Sequence, residues 1–474
     1  MLKRIIALFL VTFLLTSCSF VPKEKLETEP NIPGGHGEKL PETDPATETL
    51  DCSEDDPEII DASLDTMYET EVSETYEIET QPIETDEVKN NGPVDTVYVP
   101  YLSVTDADGF DDSVVKFSEA IYKNIVSHAE ENENIVFSPI SVIYALSLAG
   151  NGALDETYDE FSNLLGGISL KDMNVSLHNK DNELSSTEKS IVKIGNAVWV
   201  NGEPAGNSLS DEFLGIADEY YSAKVEELPF DKNAEDKMNK WVKEKTDGMI
   251  DKAVDNLDPD LVMILMNTVL FDGKWEEPFE EDRTYDGVFY NYDDSESTAS
   301  YMRSNEIYGY IELDGAQGVY KRYEDYYKFI AILPEGDIND FIANMDIAEI
   351  IGKTRYSDMV EVGLSLPKFE YDTSINLNDI LQGMGIERAF TSDAQFGGLF
   401  REDGRNVFIS NVSQKAKIIM NEGGTKAAAY TEIGMPECEL GYVSLKFDKP
   451  FFYMIIDKDG TPLFLGTIYN LNEQ

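Results

Sequence analysis

A break in composition near residue 110 decides how much of this chain can form a packed domain. From about Phe20 to Pro100 the sequence is rich in Glu, Asp, Thr and Pro, as in "EKLETEPNIPGGHGEKLPETDPATETLDCSEDDPEIIDAS". Such a stretch holds too few large apolar residues to bury a core, and its like charges repel. An extended, disordered tether is expected there. Beyond it the apolar runs are long, and the remaining length suffices for one large domain. The predicted division is 1–17 as an export signal, 18–109 as the acidic tether and 110–474 as the folded domain.

The chain begins "MLKRIIALFLVTFLLTSCSF". Lys3 and Arg4 precede an apolar run from Ile5 to Leu15, which is the layout of a secretory signal. A spanning helix needs about 20 apolar residues, more than this run offers. The end of the run, Leu15-Thr16-Ser17-Cys18, resembles a bacterial lipobox. That resemblance implies cleavage before Cys18, a diacylglycerol on its sulfur, and a domain held at the cell envelope outside the cytoplasm. A soluble signal with an incidental cysteine is the other reading. The net charge of -55 argues against nucleic acid, heparin-like polyanions and anionic lipid as partners. Besides Cys18, only Cys52 and Cys438 carry thiols, enough for one bridge but not for a disulfide framework or a zinc cluster.

Order is expected from about Phe110. In "DDSVVKFSEAIYKNIVSHAEEN" Val114, Phe117, Ile121 and Ile125 share one helical face, and Asp112 or Ser113 can cap the start. "SIVKIGNAVWVNG" and "LVMILMNTVLFDGKW" read as buried strands, and "VEVGLSLPKF" alternates in part. "PFFYMIIDKDGTPLFLGTIYN" reads as a hairpin turning at Asp459-Gly460. Strands and helices do not alternate regularly, so the fold class is α+β with large mixed sheets.

A search for catalysis finds little. His36 falls in the tether, His128 near the end of the first helix and His178 in a polar stretch, and none sits in a motif. GxSxG, GxxxxGK[ST], GxGxxG and HExxH are all missing. "DKDGT" at Asp457 lacks the rest of a calcium loop and reads as a turn. No cofactor, metal site or catalytic residue is assigned. Trp199, Trp241 and Trp275 read as packing residues.

Several motifs then converge. "NIVFSPISVIYALSLAGNGA", "NAVWV", "LMNTVLFDGKWEEPF", "LPKFEYDTSINLNDILQGMGIERAF", "FDKPFFYMIID" and "PLFLGTIYN" occur in the order found in serpins. The chain resembles that family from about Phe110 to Asn470. The resemblance implies a large mixed central sheet, further sheets, about eight or nine helices and an exposed reactive loop. It puts Ser138, Pro139 and Ser141 where the central sheet opens, and Trp199 at the top of that sheet. It also implies a monomer that inhibits extracellular serine proteases, and papain-like cysteine proteases as a further class, by suicide. The loop is cut as a substrate and inserts as a strand, trapping the acyl-enzyme.

"NEGGTKAAAYTEIGMPECELGY" (421–442) matches the loop in that family. Gly423 and Gly424 supply a hinge. Read as a strand, Thr425, Ala427, Ala429, Thr431, Ile433 and Met435 face one way, all small or apolar. Lys426, Ala428, Tyr430, Glu432 and Gly434 face the other way. Gly423, Lys426 and Tyr430 depart from the family pattern, and Tyr430 could slow insertion. The family spacing places the reactive bond at Cys438–Glu439, or one residue later when counted back from "FDKPF". Attack at Met435 is a further reading. Cys438 favours elastase-like or subtilisin-like targets over trypsin-like ones. A non-inhibitory serpin acting as a surface binding protein is the alternative, with a substrate-binding lipoprotein or secreted hydrolase behind it.

Overall fold

The helix Phe110–His128 buries Val114, Phe117, Ile121 and Ile125, the face that the spacing requires. Its start differs from expectation. Gly109 is the N-cap, and the Ser113 hydroxyl is drawn away to donate to the Leu165 carbonyl at 2.9 Å. The computed structural model describes residues 109–129, 133–187, 189–202, 208–356, 359–401, 407–425 and 442–471. The export signal, Cys18, the tether, and Ala427, Ala429, Thr431, Ile433, Met435, Cys438 and Glu439 lie outside the described residues.

The described strands, in chain order, begin with β1 (Ile135–Phe137), β2 (Ile191–Asn201), β3 (Lys224–Leu228), β4 (Met263–Asp272) and β5 (Tyr285–Tyr290). Then come β6 (Glu296–Leu313), β7 (Ala316–Arg322), β8 (Lys328–Pro334), β9 (Met359–Pro367) and β10 (Phe369–Asn376). The last are β11 (Ile409–Met420), β12 (Tyr442–Lys446), β13 (Phe451–Ile456) and β14 (Pro462–Ile468). Five of them form a mixed sheet in the order β10-β11-β4-β2-β3. Its β11–β4 and β2–β3 pairs are parallel, and its β10–β11 and β2–β4 pairs antiparallel. The other nine form a sheet in the order β1-β14-β13-β8-β7-β6-β9-β12, with β5 alongside β6.

The apolar runs explain the layering. Every residue of β13 and β14 is buried, so both faces of that sheet region are covered. The two strands pair as the expected hairpin, with Gly460 at φ +98 in the turn. The Asp457 carboxylate accepts from the backbone N–H groups of Asp459, Gly460 and Thr461. The helix Pro139–Gly150 is buried on all sides, and its sequence "PISVIYALSLAG" is apolar all round accordingly. It packs against β2, β4 and β14 and so lies beneath the five-stranded sheet's centre. The helix Lys232–Lys245, capped by Asp231, packs on the opposite face of β2 and β4 around Met238, Trp241 and Trp199. The expected α+β architecture is therefore present, with a mixed sheet whose middle pair, β4 and β11, runs parallel.

Candidate functional site

The pairing of β4 with β11 stops short of their ends. Register runs from Ile409–Met263 to Ala416–Val269. Beyond that, Lys417–Met420 pair only with β10, and Leu270–Asp272 only with β2. The two strands thus part toward the end at which β11 leads into residues 421–425.

At that end the chain folds into a tight turn. Asn421 and Gly424 exchange backbone hydrogen bonds of 3.0 and 3.2 Å. Gly424 has φ +132, and a Cβ there would lie 2.1 Å from the Gly273 carbonyl oxygen. Only glycine fits so close a backbone approach. The Thr425 N–H donates to Gly273 O at 2.7 Å, the Trp275 N–H to Gly423 O at 3.1 Å and the Phe279 N–H to Glu422 O at 2.9 Å. Thr425 is only 2% exposed, and its hydroxyl meets that of Tyr323 at 2.7 Å. The hinge residues Gly423, Gly424 and Thr425 are therefore seated at the mouth between β4 and β11.

An aromatic floor holds them. Trp275 stacks flat on Tyr323, and its indole N–H donates to Asn421 O at 3.1 Å. Phe279 and Phe329 meet Trp275 edge-on. Burial pushes Tyr323 well above the ordinary tyrosine range, so its hydroxyl stays neutral. The Lys321 ammonium is buried against this floor, 4.6 Å from the Phe279 ring and 3.5 Å from Glu306. Its burial lowers its pKa despite the nearby carboxylates of Glu306 and Glu277.

Glu422 clamps the turn from the side. Its carboxylate pairs with the Lys368 ammonium at 2.9 Å and accepts from the Thr284 hydroxyl at 2.8 Å. Burial pushes this carboxyl up, but hydrogen bonds from Lys368, its own backbone and Thr284 outweigh that and leave it below the ordinary range.

Midway along the sheet a polar knot ties β4 to β11. Asn267 and Gln414 are register partners on the two strands. The Gln414 side-chain N–H donates to Ser138 O and Ser141 Oγ, both at 2.8 Å, and to Asn267 Oδ1 at 3.1 Å. Gln414 Oε1 accepts from the Ser138 N–H at 2.8 Å, and the Ser141 hydroxyl donates to Asn267 Oδ1 at 2.6 Å. All four residues are buried. Pro139 opens the helix that follows Ser138 and carries Ser141, at a position where its missing N–H is harmless.

Trp199 is not part of this assembly, contrary to expectation. It pairs with Ile264, eight residues before Asp272, and packs edge-on against Trp241 at 6.3 Å. At about 3.3 Å per residue it sits some 25 Å from the hinge end of the sheet. β2 runs antiparallel to β4, so the second half of β2 points away from the mouth. Trp275 is the tryptophan at the hinge. Sequence reasoning also passed over Tyr323, Glu422, Lys368, Asn267 and Gln414. The one available signal was Asn267, an amide in the middle of the apolar run "LMNTVLF".

Among the described residues, Glu183, Asp457 and Asp459 come close enough to hold a cation. The Lys180 ammonium already lies 2.9 to 3.5 Å from all three. Burial would lower Lys180, but Asp457 and Glu183 raise it above the ordinary lysine range, so it stays charged. His128 contacts Asn124 O and Ser127, and His178 meets Tyr220 edge-on.

The parallel strands β4 and β11 thus part at the end where the chain turns into Thr425. Known proteins share the fold. The family described as Serpin (serine protease inhibitor) matches residues 112–471. An uncharacterized serpin-like protein of Thermococcus kodakarensis is 31% identical over 371 residues, covering 76% of this chain and 85% of that protein. An antitrypsin of Bombyx mori is 28% identical over 370 residues, covering 75% of this chain and 92% of its own. The solved structure of tengpin, a thermophilic serpin in the native state, superposes with a TM-score of 0.70 at 33% identity, covering 79% of this chain and 98% of tengpin. With the family matched over most of its length, this chain belongs to the serpins.

Proposed function

We propose that this chain is a suicide-substrate inhibitor of extracellular serine endopeptidases, with papain-like cysteine proteases as a further class. Serpins are typically protease inhibitors rather than catalysts, and the target's nucleophile supplies the chemistry. The observation that carries the reading is the seat of Thr425. It is buried at the mouth between two parallel strands that still pair with each other below it. Inserting Thr425 to Met435 would place Ala427, Ala429, Thr431, Ile433 and Met435 on the same face as Thr425.

The energetics support a trap. A new central strand of roughly ten residues forms ten or more hydrogen bonds at about 1 kcal/mol each. Burying Ile433 and Met435 adds roughly 1.5–3 kcal/mol apiece. A release on the order of 10–20 kcal/mol matches the whole stability of a typical domain. That is enough to distort an attached protease before its acyl bond hydrolyses.

Incubation with elastase-like, subtilisin-like and trypsin-like proteases, read on denaturing gels, tests the reading. Complexes that survive denaturation are expected with the first two classes and not with the third. A released C-terminal fragment beginning at Glu439 supports Cys438 at the reactive position. One beginning at Leu440 moves the bond by one residue, and one at Pro436 assigns it to Met435. Cleavage with every protease and no stable complex would defeat the inhibitory reading.

The same reading places the domain outside the cytoplasm on a lipid at Cys18, at the end of a long acidic tether, as a monomer. The sequence ahead of Cys18 supports this. Among the described residues no helix is long and apolar enough to cross a membrane. Cys18→Ala should release the protein from the membrane fraction, and unchanged membrane association would remove the anchor.

A further inference from the structure

A cleft of about 530 Å³ lies between the short turn Glu281–Arg283 and strand β6. Asp282, Arg283, Thr284, Tyr285, Arg303 and Asn305 line it. Apart from Thr284, these residues do not touch the hinge turn, and three observations single the cleft out.

The first is charge. The chain carries 92 acidic against 37 basic residues, yet here two guanidinium groups line a cleft whose one lining carboxylate is Asp282, with Glu280 paired to Arg283 beside it. Arg303 is exposed and has no carboxylate partner among the described residues. Arg283 spends only its Nε, on Glu280 at 2.6 Å, so its terminal nitrogens stay available. The second is rigidity. The Tyr285 ring stacks on Tyr301 with centroids 5.5 Å apart, and its hydroxyl donates to Ser365 Oγ at 3.2 Å, making a fixed wall. The third is connection. Thr284 lines the cleft and donates its hydroxyl to Glu422, the residue that clamps the hinge.

We propose that this cleft binds a small molecule carrying an oxyanion group and a hydroxyl, and that its occupancy loosens the hinge. Two arginine forks suit a phosphate or carboxylate, since each offers parallel N–H donors to paired oxygens. Asp282 provides an acceptor for a hydroxyl on the same ligand. The cleft is of the size that metabolite-scale ligands occupy. The strongly negative chain repels long polyanions, so the ligand is a short one. A bound oxyanion beside Thr284 gives that hydroxyl a second acceptor. Thr284 then leaves the Glu422 carboxylate with Lys368 and its own backbone N–H, and the turn Asn421–Gly424 opens more readily. The binding half stands on the cleft alone, and the effect on protease trapping rests on the inhibitory reading above.

The test titrates the intact protein by calorimetry with inorganic phosphate and, separately, with citrate, each against chloride at equal ionic strength. Saturable one-site binding is expected in at least one arm, and the arm that binds identifies the oxyanion. Arg303→Gln, an exposed and conservative change, should weaken it at least about 10-fold. No saturable heat in either arm, or equal binding by Arg303→Gln, overturns the site. Thr284→Val loses one donor to the ligand, so it should bind more weakly than wild type and is compared with it at saturation. With a protease that the protein traps, saturating ligand should speed trapping in wild type and leave Thr284→Val unchanged. An unchanged wild-type rate at saturation overturns the coupling. Binding is scored by calorimetry whether or not any protease is trapped, so failure of the inhibitory reading leaves that result standing.

Discussion

Trp275 lies flat against Tyr323, with ring centroids 4.1 Å apart and planes 4° from parallel. Each ring holds one side of the same turn. The Trp275 indole N–H reaches the carbonyl of Asn421, before the glycines, and the Tyr323 hydroxyl reaches Thr425, after them. Stacking the two rings therefore fixes the distance between the turn's ends.

Gly424→Ala should unseat this turn. The added Cβ would stand 2.1 Å from a backbone oxygen that no rotamer change can move, at a φ that suits glycine. A loss of about 2–4 kcal/mol is expected, seen as a lower denaturation midpoint. An unshifted midpoint would show that the turn does not require glycine.

Thr425→Arg puts a charge where the side chain is now 2% exposed. An unpaired buried charge costs several kcal/mol, so insertion should stall at its first step and the protease should escape after cutting. The trapped fraction should fall at least about 10-fold while cleavage continues. Complex formation at wild-type stoichiometry would mean that Thr425 does not enter the sheet.

Acid should loosen the Glu422 clamp. The carboxyl sits lower in the folded protein than its ordinary 4.5, so its contribution is complete above that value. It is lost as pH falls further, through the folded pKa. Protection of the Asn421–Thr425 amides against exchange, measured relative to their intrinsic rates, should therefore fall below about pH 4.5. Lys368→Met removes the ion pair, so that variant should exchange faster at neutral pH and respond less to acid. Equal pH profiles for the two proteins would take the clamp out of the account.

Gln414→Leu strips the polar knot of its central donor. Asn267 and Ser141 would keep buried oxygen atoms with fewer donors, at about 1–3 kcal/mol. A lower unfolding midpoint and faster parting of β4 from β11, read by exchange of their amides, are expected. Stability equal to wild type would show that the remaining groups satisfy one another.

What was readable from the sequence follows a physical line. The buried faces of Phe110–His128, β13 and β14 declare themselves because their period or continuity is local. The hinge is readable because a glycine pair next to small alternating residues is rare. The knot and the clamp are not. Asn267 lies 126 residues from Ser141 and 147 from Gln414, and Glu422 lies 54 from Lys368. One glutamate among so many acidic side chains carries no signal until the fold gives it a partner. Trp199 and Trp275 look alike in apolar runs, and strand direction alone decides which of them reaches the mouth.

The knot between β4 and β11 is built wholly from hydroxyls, amides and backbone groups. None of these gains or loses a proton at any pH the protein could meet in water. The middle of the sheet is thus deaf to acidity, while the clamp above it listens. A change of pH can alter the grip on the turn at Glu422, yet leaves the knot beneath it untouched. Readiness and commitment are set by separate chemistry at two heights along one pair of strands.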